Sequence, residues 1–348
     1  MKINIKAQNL LEWIGKKTNQ VPIPLAHTHI FSFVSRALYD AAHLGVFEAL
    51  ETGPDTEAGI ALRCHLDPAA LGTLLGLTTA LGYTRYRRGK YALTRMTRKW
   101  LLDSSPASVR PQLLFMREIW SWLEALPRFL ETGQGMDFHT RLNTRQWELY
   151  QAGMRSIARG SAWEVAAKTP LPPHPALMLD IGGSHGILSA AICQKHPGLE
   201  SRILDLPEAV EQARPILQRD FPAMPIQYLS GDALEYELGE NCYDLVFVSS
   251  LLHHFNEEQN RTLCARIARA LKPGGYFVVQ EFIRPAVHRN ADLIGMTLAL
   301  FFNLSSNGRT WSIEEIRSWQ SATGLELRKS RRLITMPGFS QIVSQKPS

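Results

Sequence analysis

Cysteine is scarce and scattered in this chain. The 348 residues contain four, Cys64, Cys193, Cys242 and Cys264, with no Cys-x-x-Cys pair and no Cys/His cluster. That spacing gives no structural zinc and no disulfide framework. Cys193 and Cys264 fall inside apolar helical patterns and read as ordinary core residues. No apolar run reaches membrane-spanning length, and Met1-Lys-Ile-Asn-Ile-Lys6 lacks the apolar h-region of a secretory signal. The expectation is a cytoplasmic protein with no membrane partner and no metal. Neither charge sign dominates: 38 basic against 32 acidic residues leave +6, which is compatible with an anionic substrate and does not call for nucleic acid. A dinucleotide fingerprint is missing as well. Where G-x-G-x-x-G needs its second glycine, the chain has Ser184. With 45% hydrophobic and 20% charged residues, the chain still has ample core for two domains.

The most informative stretch is 178–186, Met-Leu-Asp-Ile-Gly-Gly-Ser-His-Gly. An apolar run ends in Asp180, glycines follow at Gly182, Gly183 and Gly186, and a helical pattern begins at Ile187. That is a strand, a glycine turn and a helix start, which lets a ligand lie against bare backbone beside unpaired N–H groups. Asp180 would repel a pyrophosphate. It suits a ligand with a cationic end, and S-adenosylmethionine carries both an ammonium and a sulfonium.

Two more carboxylates extend this pattern. Asp205 closes the next short run, where a carboxylate can accept both ribose hydroxyls. Asp232 follows a third run, Ile226 to Gly231, at the expected adenine edge. Taken singly, each is more often a cap or turn former. Three at successive strand ends are much less readily chance and point to a cofactor site, with Leu206, Gly231, Ala233 and Ser249 as flanking binding candidates.

These motifs resemble the class I S-adenosylmethionine-dependent O-methyltransferases of the caffeic acid and hydroxyindole O-methyltransferase type, with their bacterial natural-product relatives. The resemblance spans roughly residues 30–345. It rests on Leu179-Asp-Ile-Gly-Gly-Ser-His-Gly186, Asp205-Leu-Pro207, Gly231-Asp232, Leu252-His253-His254-Phe255 and Leu271-Lys-Pro-Gly-Gly275.

The rest of the chain divides around this motif. Residues 1–105 read as an arm and a winged-helix domain: helical spacing from Phe31 to Leu50, helices near 56–64 and 68–81, then a hairpin turning at Arg87-Arg88-Gly89-Lys90. The basic wing could contact phosphates. The bland reading, a solvated face on a dimerisation module, is preferred, so no nucleic-acid partner is expected. In the resembling family this domain exchanges helices with a partner copy, which implies a homodimer. Residues 106–170 supply connecting helices over 111–131 and 144–168. The linker Lys168-Thr-Pro-Leu-Pro-Pro-His-Pro175 opens the cofactor domain, 171–348. Strands near 176–181, 200–205, 226–230, 243–249 and 275–283, alternating with helices, predict an α/β fold with a Rossmann-like, doubly wound parallel sheet. Ligands then belong at the carboxyl ends of the strands. A capping box, Ser312-Ile-Glu-Glu315, opens a late helix, and strands near 325–333 and 338–344 close the sheet in antiparallel fashion.

Methyl transfer to a hydroxyl needs an aligned acceptor and a proton acceptor. A phenol ionises near ~10 and a histidine near ~6.5. The family's general base corresponds to His253. His254, its neighbour, is the less favoured candidate, since adjacent residues on a turn point different ways. Glu281, ending the fifth strand, corresponds to a flanking glutamate that orients the base. A second flanking glutamate of the plant enzymes is replaced by Gly308 before Arg309-Thr310, and Ser249 and Ser250 replace a plant lysine and tryptophan. The resemblance also places Met154 near the transferred methyl and a substrate-lining helix over 291–304, with Met296, Leu300 and Asn303; Trp120 is a further candidate for the acceptor pocket. Helix Met and Phe of this kind are more often plain core.

The expectation is therefore an O-methyltransferase acting on a small aromatic or polyketide-like acceptor, with S-adenosyl-L-methionine as cofactor. Two rivals share its features: a C-methyltransferase on a tetrapyrrole or other electron-rich ring, and a non-catalytic winged-helix regulator that senses the cofactor.

Overall fold

The computed structural model of the chain describes residues 7–285 and 293–348. These form two compact units, Met1–Trp120 and Ser121–Ser348. The charged amino-terminal hexapeptide falls outside the described residues, as do Ala291 and Asp292, the expected start of the substrate-lining helix.

The first unit is helical with one small hairpin. Helix Leu10–Lys17 buries none of its residues and leaves Leu10, Leu11, Trp13 and Ile14 exposed. The helical spacing from Phe31 gives Phe31–His43 only, because Gly45 takes a left-handed φ of 72° and the chain restarts as a short turn, Glu48–Leu50. Glu57–Cys64 and Pro68–Ala80 follow. Asp67 caps the latter through the Ala70 N–H, with Pro68 at its first position. Strands β1 (Thr84–Arg87) and β2 (Lys90–Leu93) pair antiparallel. Val46, Phe47, Leu50, Ile60, Leu71 and Leu75 fill the core of this unit.

The expected continuous helix over 111–131 is broken. Arg110–Glu118 ends, Ile119–Ala125 winds as a 3₁₀ segment, and Leu126–Thr132 restarts with Pro127 in its first turn. Proline has no N–H to give an earlier carbonyl and disfavours helical backbone at the residue before it, so one helix becomes two. The pattern over 144–168 likewise splits at Gly160 into Thr144–Arg159 and Ala162–Lys168.

The second unit holds an eight-stranded sheet. Its strands are β3 (Leu177–Ile181), β4 (Glu200–Asp205), β5 (Ile226–Ser230), β6 (Tyr243–Ser249), β7 (Leu271–Phe282), β8 (Glu326–Leu327), β9 (Arg331–Arg332) and β10 (Phe339–Gln345). The order is β5-β4-β3-β6-β7-β10-β8, with β9 also on β10. β5 through β7 run parallel and β10 lies antiparallel to β7. Apolar runs such as Leu245-Val-Phe-Val248, buried on both faces, are what a central parallel strand requires. β7 begins four residues earlier than its sequence pattern. Gly274 and Gly275 exchange backbone hydrogen bonds with Lys346, which draws the glycine turn into the sheet. Helix Ile313–Ala322 carries the expected capping box.

Candidate active site

β3, β4 and β6 end side by side, so their terminal residues share one edge of the sheet. Asp180 is buried there. Its Oδ2 accepts the Ser189 hydroxyl at 2.6 Å, and Ser201 donates to Ser189 behind it at 2.9 Å. Oδ1 is buried with no hydrogen-bond partner among the described residues. Burial pushes the carboxyl up to about 7, against the Ser189 bond that lowers it. The turn passes so close that a Cβ on Gly183 would stand 2.6 Å from the Asp180 carboxylate, and Gly182 and Gly186 hold left-handed φ values of 71° and 73°. A buried carboxylate oxygen lacking a donor, beside bare backbone, fits the cationic end of S-adenosylmethionine.

Asp205 ends β4 and accepts the N–H of Ser184 at 2.8 Å and of Leu206 at 2.9 Å; burial pushes its carboxyl up to about 6. Gly231 donates its N–H to the Asp205 carbonyl. Asp232 is exposed beyond β5 and caps the turn through the Leu234 N–H at 2.8 Å. Ala233 gives its carbonyl to Arg266, and Ser249 accepts from the Gln280 amide at 3.1 Å.

The histidine turn follows β6. Ser250 takes a left-handed φ of 55°, and Leu252–His254 forms one 3₁₀ turn. The Leu252 carbonyl is pinned by the Asn260 amide at 3.0 Å and the Trp311 indole at 2.9 Å. Glu281, buried in β7, lies across from it. Glu281 Oε1 is 2.8 Å from His253 Nδ1 and also accepts the Phe282 N–H, while Oε2 accepts the Leu252 N–H at 3.1 Å. A carboxylate there accepts a hydrogen bond from the Nδ1–H, which leaves the lone pair of His253 on Nε2. The Phe302 ring covers His253 with a centroid separation of 4.4 Å.

Gly308, where the plant enzymes have their second glutamate, is packed against backbone. A Cβ there would run into the carbonyls of His253 and Phe255.

Several residues near the site carry no functional signal in the sequence. Helix Thr144–Arg159 turns one face inward, with Trp147, Tyr150 and Gln151 along it. Gln151 accepts the Ser184 hydroxyl and ties the helix to the glycine turn. Tyr150 and Trp147 meet His139, whose ring in turn stands edge-on to His254 at 4.6 Å. His254 packs against His253 at 4.1 Å and pairs through Nδ1 with the Ser306 hydroxyl at 3.0 Å. Burial, then the neighbouring His253 ring, pushes His139 down to about 3; burial with His253 and His139 holds His254 well below the usual histidine range. Burial and the Asp205 carboxylate push the Tyr150 hydroxyl above the usual tyrosine range. Among the described residues, no three His, Cys, Asp or Glu side chains are placed to hold a metal ion.

The expected acceptor residues fall in both units. Met154 is half-buried on the helix that carries Tyr150, and Met296 is half-buried on helix Leu293–Ser305. Leu300 is exposed on that helix, and the Asn303 side-chain oxygen Oδ1 accepts the Thr310 N–H at 2.9 Å. Trp120 closes the other unit, edge-on to Tyr39.

Known proteins resemble this chain in sequence and in fold. The mitomycin biosynthesis 6-O-methyltransferase of Streptomyces lavendulae is 28% identical over 72% of this chain and 76% of its own. The acetylserotonin O-methyltransferase of Bos taurus is 27% identical over 86% of this chain and 91% of its own. The structure of human N-acetylserotonin methyltransferase in complex with SAM superposes with a TM-score of 0.81 at 21% identity, covering 99% of this chain and 100% of that one, and so shares the fold. A family model for the O-methyltransferase domain matches residues 129–326. With more than half its length under that match, the chain belongs to the O-methyltransferase domain family and is an S-adenosylmethionine-dependent methyltransferase.

Proposed function

We propose that the chain methylates a hydroxyl of a small aromatic or polyketide-like acceptor, with His253 as general base and Glu281 as the group that orients it. The observation that carries this reading is the 2.8 Å contact between His253 Nδ1 and a buried Glu281 carboxylate, which leaves Nε2 to take a proton. S-adenosylmethionine, when bound, supplies a methyl group already activated on a sulfonium. What the chain must add is alignment of the acceptor and removal of its proton. Asp180 and the glycine turn would hold the methionine end, Asp205 the ribose, and Asp232 with Gly231 and Ala233 the adenine side. Met154, Met296, Leu300 and Asn303 remain candidates for the acceptor pocket, which an apolar lining suits.

The names of its relatives support a natural-product or indole-type phenol as acceptor. We also infer a homodimer through the first unit, on the strength of the exposed apolar face of Leu10, Leu11, Trp13 and Ile14. The test is to incubate the purified protein with methyl-labelled cofactor, a panel of phenols and a cell extract, and to identify the labelled product. A methyl ether on an aromatic hydroxyl supports the reading; label on carbon, or no transfer at all, removes it.

A further inference from the structure

The chain's surplus of positive charge is local. From Pro68 to Leu102 there is no Asp or Glu. The hairpin in that stretch carries Arg85, Arg87, Arg88 and Lys90. The helix after it, Arg95–Trp100, adds Arg95, Arg98 and Lys99. Without these seven, 31 of the 38 basic residues remain against 32 acidic ones, so the whole +6 excess comes from this one stretch. All seven are exposed and, among the described residues, none forms an ion pair. Asp67 caps a helix, Asp103 pairs with Arg110 at 2.9 Å, and Asp55, whose backbone bridges to Tyr91, pairs with Arg63 at 2.5 Å. A merely solvated face intersperses both signs; this one does not. The patch is also held in place. Arg87 faces Lys90 across a two-residue turn in which Arg88 and Gly89 take left-handed φ values of 51° and 75°, so three cations stand at one tip. Thr84, buried at the base of β1, meets the hydroxyls of Thr78 at 3.0 Å and Thr79 at 2.8 Å. Thr94 and Thr97 donate to the carbonyls of Gly82 and Tyr83 at 2.9 and 2.6 Å. Aromatic side chains stand among the cations. Tyr86 is 57% exposed beside Tyr91, with ring centroids 4.8 Å apart. Met96 and Trp100 are exposed as well, and Lys99 lies over the Trp100 ring at 4.6 Å.

We propose that this basic, aromatic wing is a docking surface for an anionic lipid bilayer. The cations lie against the phosphate headgroups, where each Lys or Arg strengthens attachment. Tyr86, Met96 and Trp100 enter the interface, which suits side chains with an apolar body and, in Tyr and Trp, a polar edge. The missing spanning segment underlay the expectation of no membrane partner. No helix among the described residues is long and apolar enough to cross a membrane, and a surface of this kind needs none. Duplex DNA fits the same charge less well. In a winged helix, the helix ahead of the wing reads the major groove. Here that helix, Pro68–Ala80, holds no Arg, Lys, Asn, Gln, Asp or Glu, the residue types that pair with base edges. A projecting hairpin also offers no groove along which a single strand could run.

Vesicle flotation tests this, comparing phosphatidylcholine alone with phosphatidylcholine carrying about a third phosphatidylglycerol, a strongly anionic surface. At about 0.15 M salt, exposed charges more than about 8 Å apart are largely screened, so attachment requires the patch to lie on the surface. The wild-type chain should bind the anionic vesicles at least about tenfold more tightly than the neutral ones. The combined change Arg87→Gln, Arg88→Gln and Lys90→Gln should weaken that binding by about a hundredfold, roughly fivefold per charge, with the unfolding midpoint unchanged. Tyr86→Ser, which leaves the charge alone, should weaken it by a smaller factor. Binding that is equal on the two vesicles, absent from both, or unaltered in the triple variant overturns the proposal. So does tighter binding of duplex or single-stranded DNA than of anionic vesicles at the same salt, which assigns the patch to nucleic acid. If the triple variant does not fold, the wild-type comparison of the two vesicles decides the matter. Methyl transfer to a soluble phenol needs no vesicle, so failure of this proposal leaves the O-methyltransferase reading standing.

Discussion

Ser189 donates its hydroxyl to Asp180 at 2.6 Å, and it is the one donor that this buried carboxylate finds among the described residues. The other oxygen is buried with no donor among the described residues. Burial lifts the Asp180 carboxyl to about 7, so if Asp180 holds the cofactor's cationic end as proposed, binding should displace a proton at neutral pH. Affinity for S-adenosylmethionine should rise with pH, about tenfold per unit below 7, and level off above it. Calorimetry at pH 6.5 in two buffers of different ionisation enthalpy should detect a released proton. Ser189→Ala removes the bond that favours the charged form and should weaken binding by about tenfold at pH 7.

The same carboxylate should cost the empty fold stability. An ordinary Asp loses its proton near 3.8, whereas in the fold Asp180 holds it to about 7. Between those values the unfolded chain releases the proton first, so this group's contribution falls as pH rises and is fully unfavourable above 7. Asp180→Asn should therefore stabilise the ligand-free chain by roughly 2–4 kcal/mol at pH 8 and by almost nothing at pH 3.5, while abolishing tight cofactor binding. Urea unfolding at the two pH values measures the difference.

Gly308 is fixed by its surroundings. Because a Cβ there meets the carbonyls of His253 and Phe255, Gly308→Ala should destabilise the chain by about 1–3 kcal/mol, in the range of an overpacked site. Gly308→Glu should lower the turnover number rather than supply a second carboxylate to the base. Unfolding curves and steady-state rates on the two variants check both statements.

Glu281 holds His253 and also accepts the N–H groups of Leu252 and Phe282. Glu281→Gln keeps the shape but turns an N–H toward groups that donate. The turnover number should fall by about 10- to 100-fold with the Michaelis constant for the cofactor little changed. An equal loss in cofactor affinity would place the defect in the cofactor site instead.

The exposed apolar face of Leu10, Leu11, Trp13 and Ile14 should be covered in solution by a second copy. Sedimentation should give a dimer, and Leu11→Glu with Trp13→Glu should shift it toward monomer.

Much of the sheet was legible because a parallel strand leaves an apolar run and a glycine turn leaves a spacing. Asp180, Asp205 and Asp232 could be placed from those two signals. Pro127 shows where periodicity misleads: an unbroken apolar stripe over 111–131 spans a helix restart that only the proline marks. His139 was illegible for a different reason. It lies on the short 3₁₀ turn Phe138–Arg141, which has no period to read, and it meets His254 across 115 residues of chain. Trp147, Tyr150 and Gln151 do show helical spacing, but spacing names a buried face without saying what lies opposite it.

The central claim is that His253 removes the acceptor's proton as the methyl group moves. Single-turnover rates for wild type and His253→Ala, measured with an ordinary phenol and with a nitrophenol already ionised at the assay pH, test it most directly. The account predicts a loss of roughly 10²–10⁴ with the phenol, the usual contribution of a general base, and a far smaller loss with the nitrophenol. Equal losses on the two acceptors would contradict it.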